Sequence, residues 1–348
     1  MTMNRRITLA SLLCTALPSL PLQAQETSAA VVDETWVDAA RQREVPVKLR
    51  WPDASVHLGA RPLVLFSHGL GGTRQGGSVW GEAWAAAGFV VLHLQHLGSD
   101  LAAVGRLTST FTDKSALRTA GSPTQLLARL RDVVFALDEV ARRQTLGQGK
   151  SQGSNPGRWA SVRAERVGLS GHSFGAITTL GMAGQRYPKF DGINEPRLAS
   201  FIALSPSPPP AGNAAQAFER MTRPMLSVTG TLDGDVAGTG ATPERRAGVF
   251  AVLPSSGQPG GPSGGSYGNK AHLVLQDADH MTFAGQTGRE VEIIPREAIT
   301  RDLQAAHHAL VAAVTTDWWR ATLLDDAAAQ SRLRAPANLR AGDLWQQK

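Results

Sequence analysis

The chain has 348 residues, of which 42% are hydrophobic, so it can bury a large core and general disorder is excluded. Its formal charge is +6, but no block of lysine or arginine and no interleaving of basic with aromatic residues indicates a nucleic-acid-binding protein. The single cysteine, Cys14, excludes a disulfide framework.

The first 24 residues have the pattern of a secretory signal peptide. Two arginines precede an apolar stretch from Ile7 to Leu22, and Ala24 is a small residue suited to a cleavage site. The stretch is interrupted by prolines and is short for a membrane span, so we expect cleavage rather than an integral membrane anchor. The mature chain, 25–348, would then be periplasmic or secreted, would contain no cysteine and would have a formal charge of +4, because two arginines and no acids are lost.

Strands and helices alternate along the rest of the chain. Residues 34–51 contain two segments rich in Val, Thr and Trp around a polar turn, which is typical of an antiparallel hairpin. Short apolar runs predict strands at 62–67, 88–94, 167–170, 201–204, 225–229 and 272–276. Helical spacing of apolar residues predicts helices at 79–87, 124–143 and 299–314. This alternation indicates a single α/β domain with a mainly parallel, doubly wound sheet.

Three stretches lack this periodicity, at 95–122, 205–212 and 238–268. The first is polar, and the other two are rich in proline or in glycine and proline. We expect loop insertions near 95–122 and 238–268, where they could form a lid or a binding wall.

Residues 171–175 read Gly-His-Ser-Phe-Gly and directly follow the predicted strand at 167–170. A serine between two glycines at a strand-to-helix turn is typical of the nucleophile elbow of serine hydrolases. The turn is so tight that the serine backbone is strained, and the glycines keep bulk away from it. Ser173 is therefore the candidate nucleophile.

A serine hydroxyl needs a base, usually a histidine held by a carboxylate. In this type of fold the chain order is serine, acid, histidine, with each residue at the C-terminal end of a strand. Asp233 follows the strand at 225–229 and His280 follows the strand at 272–276, with Asp235 as an alternative acid. His172 is expected to point away from the pocket and to be structural.

Two backbone amides are predicted to bind the oxyanion that forms when the serine attacks. One is the amide of Phe174, at the start of the helix after the elbow. The other belongs to the glycine-rich loop at 68–72, where we expect the amide of Leu70 rather than that of Gly71. A phosphate-binding loop is the competing interpretation, but no Lys followed by Ser or Thr completes it.

Two weaker patterns could bind metals. A calcium loop would have suitable residues at its first, third, sixth and twelfth positions, which are Asp233, Asp235, Gly238 and Glu244. Its fifth position is Ala237, which supplies no side-chain ligand, and no helix is predicted before it. Zinc-like spacing occurs in His93, His96 and Asp100, but His93 falls inside a predicted strand. We therefore expect no metal and no cofactor.

Four segments resemble the α/β-hydrolase superfamily, and within it the bacterial predicted dienelactone hydrolases, which are similar to platelet-activating-factor acetylhydrolases. The segments are 66–72 (FSHGLGG), 93–100 (HLQHLGSD), 171–176 (GHSFGA) and 279–285 (DHMTFAG). The resemblance spans roughly residues 34–320 and implies the α/β-hydrolase fold. Dienelactone hydrolases proper use a cysteine nucleophile, so the serine here argues against that literal activity.

The resemblance also implies ester hydrolysis through an acyl-enzyme on a small-molecule or lipid ester. Ser173 would attack, His280 would be base and then acid, and Asp233 would orient His280. The alternatives are a phospholipid or polyester hydrolase and, in a different class, a non-catalytic binding protein with the same fold. The oligomeric state and the acyl specificity stay open at this point.

Overall fold

The computed structural model describes residues 30–55, 59–108, 113–148, 156–188, 190–209, 212–255, 269–287 and 294–348. The predicted signal peptide, Cys14 included, lies outside these residues, as do parts of both predicted loop insertions. Within the described ranges, no helix combines the length and apolarity that a membrane crossing requires.

The structure contains every predicted strand, most of them longer than predicted, and its described residues include three short strands that the sequence analysis did not predict. In chain order they are β1 (Ala30–Asp38), β2 (Arg43–Trp51), β3 (Arg61–Ser67), β4 (Val90–Leu94), β5 (Val162–His172), β6 (Arg186–Tyr187), β7 (Phe190–Asp191), β8 (Leu198–Leu204), β9 (Met225–Leu232), β10 (Lys270–Asp279) and β11 (Leu344–Gln347). In the described part of the chain, nine of them form one sheet in the order β1-β2-β4-β3-β5-β8-β9-β10-β11, while β6 and β7 pair separately.

Neighbouring strands are parallel from β4 through β10 and antiparallel at both edges of the sheet. The N-terminal hairpin pairs β1 with β2 in a register from Ala30 opposite Trp51 to Asp38 opposite Arg43. The prediction of a mainly parallel α/β sheet with an N-terminal antiparallel hairpin is confirmed.

The helices lie on both faces of this sheet. They are α1 (Ser78–Ala86), α2 (Leu101–Leu107), α3 (Lys114–Ala120), α4 (Pro123–Gln148), α5 (Pro156–Ala160), α6 (Phe174–Met182), α7 (Ala214–Phe218), α8 (Pro243–Val252), α9 (Ala298–Leu323) and α10 (Ala327–Arg334), with a 3-10 helix at His280–Ala284.

Alternate side chains of each central strand pack into different cores, because successive residues of a strand point to opposite faces. In β3, Leu63 and Leu65 belong to the core that includes side chains of α4 and α6. Val64 and Phe66 belong to the core that includes side chains of α1 and α9. This division is the doubly wound arrangement of the α/β-hydrolase fold, and it leaves the C-terminal ends of the strands open for a site.

The structure differs from the sequence analysis in the stretches expected to be irregular. Helices α2 and α3 lie within 95–122, and α8 lies within 238–268. Each begins at a side chain that accepts a hydrogen bond from a first-turn amide, namely Asp100, Asp113 and Thr242. Such caps stabilise short helices whose apolar periodicity is too brief to be recognised. The chain also continues after α9 into α10 and the edge strand β11, which the sequence analysis did not predict.

Buried neutral histidines should make the stability of the fold depend on pH. His272 on β10 is buried against Phe250, with ring centroids 5.2 Å apart, and burial lowers its pKa from 6.5 to about 4. The unfolded chain therefore binds a proton at higher pH than the native state does, and stability is lost as the pH falls from 6.5 through about 4. This shift corresponds to about 3 kcal/mol once both states are protonated.

We expect His272→Leu to reduce the fall in Tm between pH 7 and pH 4.5, as measured by thermal unfolding. Equal falls in Tm for the variant and the wild-type chain would contradict this assignment.

Candidate active site

Ser173 occupies a sharp turn between β5 and α6. Its backbone is strained, with φ 56° and ψ −114°, and its amide donates a hydrogen bond to the Leu204 carbonyl at 3.0 Å. A Cβ on Gly171 would lie 2.3 Å from the carbonyl oxygen of Gly175, and one on Gly175 would lie 1.9 Å from that of Ser67. Both flanking positions therefore require glycine, as the motif predicted.

We expect Gly175→Ala to prevent the elbow from forming, because the clash is with backbone that a rotamer change cannot relieve. The matched control is Gly248→Ala inside α8, where an added Cβ meets nothing within 4 Å. The control should raise stability by about 0.5–1 kcal/mol, since alanine favours a helix interior. Soluble yield and Tm measure both effects, and comparable Tm values for the two variants would contradict the steric argument.

His280 lies directly after β10, at the start of the 3-10 helix, and faces Ser173. The Ser173 hydroxyl donates to its Nε2, with 2.9 Å between Oγ and Nε2. Asp279 caps this short helix through hydrogen bonds with Thr282, which hold the histidine at the strand end. The other ring nitrogen, Nδ1, lies 2.9 Å from Oδ1 of Asp233.

Asp233 is fully buried after β9 and accepts several hydrogen bonds. Thr229 Oγ1 donates to Oδ2 at 2.7 Å, and the Arg246 side chain lies 3.0 Å from Oδ1. Burial by itself raises the pKa of Asp233, but the hydrogen bond and charge of His280, with the charge of Arg246, outweigh it. The pKa of Asp233 is therefore below its ordinary value, and the carboxylate is ionised at neutral pH.

The structure brings Asp233, rather than Asp235, to His280. Both carboxylate oxygens of Asp235 accept backbone amides of the next turn, those of Ala237, Thr239 and Gly240. In the calcium-loop alternative Asp233 would be the first ligand, but its side chain is directed into the hydrogen bond with His280.

Ser205 and Arg246 are two further contacts of Asp233 that the sequence analysis missed. Ser205, with φ 55°, donates through Oγ to Asp233 Oδ1 at 2.8 Å and lies 2.8 Å from His280 Nδ1. Arg246 donates to the backbone carbonyls of Asp233 and Ser205, both at 3.0 Å. Ser205 directly follows β8, so its place at the C-terminal edge of the sheet was a usable signal. Arg246 lies on helix α8, which was not predicted, so no signal in the sequence indicated its role.

His172 is buried beside His280, with ring centroids 4.8 Å apart. Its Nε2 donates to the His280 carbonyl at 2.9 Å, which supports the structural role predicted for it. Burial and the neighbouring His280 hold the pKa of His172 well below its usual range, so it is neutral. The expectation that it points away from the pocket is wrong, because it lines the cavity next to Ser173.

The glycine-rich loop after β3 passes directly beside Ser173. A Cβ on Gly69 would lie 2.9 Å from His172 Nδ1 and 3.4 Å from Ser173 Cβ. The Gly71 amide is occupied, because it donates to the Ser99 carbonyl at 2.9 Å. Within the described residues the Leu70 amide has no acceptor, and the Phe174 amide is the first of α6, where a helix provides none. These two amides are available to an oxyanion.

Two adjoining cavities open beside Ser173. The inner one, of about 100 Å³, is lined mainly by apolar side chains together with the glycine-rich loop, Ser173, His172 and His280. The lining of the outer one, of about 360 Å³, includes the charged side chains of Lys114, Asp235 and Asp279. The lining residues common to both are Val236, His280, Met281 and Ile294. Ser173 therefore lines only the smaller cavity, whereas His280 lines both.

The zinc-like residues are placed in separate interactions. His93 Nδ1 lies 2.9 Å from the Gly76 carbonyl, and His96 bridges Ser67 Oγ and Asp132 Oδ2 at 2.9 and 3.0 Å. Asp100 caps α2. No cluster of three His, Cys, Asp or Glu side chains suited to a metal occurs in the described ranges.

Comparison with known proteins finds a family match over part of the chain. Residues 41–151 match the family described as platelet-activating factor acetylhydrolase, isoform II, and this agrees with the resemblance seen in the motifs. The matched third of the chain contains the glycine-rich loop and the segment 93–100, and it ends before Ser173. No curated protein gives a significant match.

Proposed function

We propose that this chain, which has the α/β-hydrolase fold and matches platelet-activating factor acetylhydrolases over residues 41–151, is a serine carboxylic-ester hydrolase working through an acyl-enzyme. The observation that carries the proposal is the hydrogen-bonded series of Ser173, His280 and Asp233, with 2.9 Å at each of its two contacts. A nucleophile, a base and an orienting acid in this geometry activate a serine hydroxyl.

In the first half-reaction, Ser173 Oγ attacks the ester carbonyl while His280 Nε2 takes the hydroxyl proton. Asp233 holds Nδ1 of His280 and stabilises the imidazolium that forms. The amides of Leu70 and Phe174 bind the oxyanion, a preorganised interaction whose loss costs about two to three powers of ten in rate for one donor. His280 then protonates the leaving alcohol.

In the second half-reaction, water replaces the alcohol. His280 takes a proton from this water, which attacks the acyl carbonyl of the Ser173 ester. The same two amides bind the second oxyanion. Its collapse breaks the bond between the acyl carbon and Ser173 Oγ and releases the carboxylic acid, while His280 returns its proton to Oγ. No step of this scheme needs a cofactor.

The inner cavity favours short acyl groups. Its volume of about 100 Å³ is less than a third of that of the outer cavity, about 360 Å³, so we expect a short acyl chain to fit it better than a long one. A longer acyl chain would have to extend into the outer cavity, where its carbons would meet the polar side chains of Lys114, Asp235 and Asp279.

A chromogenic ester series with a fluorophosphonate probe tests the proposal. We expect the wild-type chain to be labelled on Ser173 and to hydrolyse p-nitrophenyl acetate and butyrate with kcat/KM at least about tenfold above the octanoate, since the longer chain does not fit. A chain that is neither labelled nor active would support the alternative of a binding protein and would refute the proposal. Fastest turnover of the octanoate would refute the acyl-size argument alone.

A short-acyl phospholipid is the second candidate substrate. The family description favours it, and Leu101 and Leu107 on α2 are 47% and 46% exposed beside the glycine-rich loop, which Leu101 contacts through its amide. Replacing both leucines with serine should lower hydrolysis of phospholipid vesicles at least about fivefold and leave p-nitrophenyl acetate hydrolysis unchanged. Equal effects on both substrates would contradict interfacial action, and selective loss on a polyester film would indicate the polymer alternative.

We also propose that residues 1–24 direct export and are removed, on the basis of the arginines, apolar stretch and small residue described above. Intact-mass measurement of protein from the periplasmic or culture fraction should give a chain beginning near residue 25. A full-length chain retained in the cytoplasm would contradict this proposal.

A further inference from the structure

The side chain of Arg129 on α4 is fully buried and contacts both segments that carry the candidate oxyanion donors. On one side its Nη1 donates to the His68 carbonyl at 2.7 Å, and its Nη2 lies 3.4 Å from the Gly69 carbonyl oxygen. On the other side the guanidinium lies over the Phe174 ring, with Cζ 4.3 Å from the ring centroid. One group therefore links the loop before Leu70 to the first residue of α6.

We propose that Arg129 is the positioning residue of the oxyanion hole, holding the Leu70 and Phe174 amides in the arrangement that binds the transition state. The inference rests on the proposed esterase function, and it names the residue that positions the two amides for the oxyanion.

Peptide planarity explains how a contact with Gly69 orients Leu70. The Gly69 carbonyl and the Leu70 amide belong to one trans peptide unit, so they point in opposite directions. The Gly69 oxygen is directed inwards, because Arg129 lies beside it and His68 Nδ1 donates to it at 2.6 Å. The Leu70 N–H is consequently directed outwards from this interior cluster, towards the cavity that Leu70 lines.

The rest of the guanidinium extends this support along the loop. Arg129 Nε donates to Ser99 Oγ at 2.8 Å, and the Ser99 carbonyl accepts the Gly71 amide at 2.9 Å. His68 is held as well, since its Nε2 accepts the His96 amide at 3.0 Å. Together these contacts give the segment 93–100 a structural role, which is to hold the glycine-rich loop in place.

In the described part of the chain no carboxylate forms an ion pair with Arg129 within 4.0 Å, although the charges of Asp132 and Asp100 favour its protonated form from farther away. The guanidinium contacts backbone carbonyls, a hydroxyl and an aromatic ring, and burial lowers its pKa. A buried cation without such a partner is destabilising, and a purely structural brace would not require one. Placed behind the two candidate oxyanion donors, the same positive charge favours the negative charge of the transition state, and its fixed fork of donors holds the loop.

Arg223 provides a matched control. Its guanidinium also donates to backbone carbonyls, those of Glu195 and Leu198, and lies over an aromatic ring, that of Phe201, at 4.9 Å. It precedes β9 and is therefore at the N-terminal ends of the parallel strands, opposite Ser173. Replacing Arg223 removes the same kinds of contact without touching the candidate site.

The experiment compares Arg129→Met, Arg129→Lys and Arg223→Met with p-nitrophenyl acetate and with a trifluoromethyl ketone that forms a tetrahedral adduct on serine. We expect Arg129→Met to lower kcat about 10- to 100-fold with KM changed less than about threefold, and to weaken the ketone by the same factor as kcat/KM. Arg129→Lys should recover part of the loss by keeping the charge. Arg223→Met should leave kcat within about twofold even where Tm falls equally.

Several outcomes overturn the proposal: kcat of Arg129→Met within twofold of wild type, an increase in KM alone, or equal losses of kcat in Arg129→Met and Arg223→Met. If Arg129→Met does not fold, Arg129→Lys decides the question by the same split between kcat and KM. These outcomes differ from a failure of the proposed function. If the proposed function is wrong, the wild-type chain lacks both fluorophosphonate labelling and esterase activity. If only the inference about Arg129 is wrong, the wild-type chain keeps both.

Discussion

Ser173→Ala is expected to lower kcat for p-nitrophenyl acetate by about four to six powers of ten and to abolish fluorophosphonate labelling. The alanine has no nucleophile for His280 to activate, while the strained turn, the cavity and the two amides are unchanged. KM and Tm should stay close to their wild-type values, because one hydroxyl is removed from a partly exposed position.

Ser170→Ala is the matched control for this prediction. Ser170 is a buried serine on β5, the strand that leads to Ser173, and its hydroxyl has no hydrogen-bond partner in the described structure. Its replacement should leave kcat within about twofold. Wild-type turnover by Ser173→Ala would refute the assignment of Ser173 as the nucleophile. Equal losses of kcat in both variants would attribute the loss to a disturbance of β5 rather than to removal of the Ser173 hydroxyl.

Asp233→Asn is expected to lower kcat by about three to four powers of ten with little change in KM. An amide in this position no longer stabilises the imidazolium, and its NH2 group can hold His280 in the wrong tautomer. The Thr229 and Ser205 hydroxyls that donate to the carboxylate would also face a side chain with one oxygen fewer.

The control is Asp235→Asn, two residues along the same segment, where the carboxylate accepts only amides and a hydroxyl of its own turn. This change should reduce kcat less than about threefold. A greater loss in Asp235→Asn than in Asp233→Asn would assign the acid to Asp235. The comparison is made from steady-state kinetics at neutral pH, where the Asp233 carboxylate is ionised.

The sequence predicted the sheet and the order of the site residues because both are local properties. Apolar runs such as 62–67 and 225–229 are continuous in the chain, and each ends where a parallel strand leaves the core. The elbow needs only Gly171, Ser173 and Gly175 at fixed spacing, and the backbone clashes around both glycines show the steric reason for that spacing. These features could be read from neighbouring residues alone.

The choice between Asp233 and Asp235 could not be made in that way. Both follow β9 within three residues of its end, and both are ordinary turn formers. The Asp233 amide donates to the Gly230 carbonyl at 3.2 Å, and this tight turn directs its side chain inwards, while Asp235 accepts amides of the turn that follows. Side-chain direction after a strand is set by such turns and by what packs against them.

The contacts of Arg129 could not be predicted from neighbouring residues either, because its partners are far away in the chain. On α4, Arg129 is three residues after Leu126 and four residues before Val133, so it lies on the same apolar face of the helix as these two side chains. This spacing was a signal that Arg129 would be buried. Its partners His68, Ser99 and Phe174 lie 30 to 61 residues away in the chain. No pattern of neighbouring residues specifies that meeting.

By itself, then, the amino-acid sequence determined the strand and helix alternation, the strained serine turn and the chain order of the candidate nucleophile, acid and base. Only the tertiary structure decided which aspartate meets His280, that Ser205 and Arg246 contact this aspartate, that His172 lines the cavity, and that Arg129 contacts both segments that carry the candidate oxyanion donors. The physical reason is that backbone geometry follows local sterics and hydrogen bonding, whereas these contacts form between segments that only packing brings together.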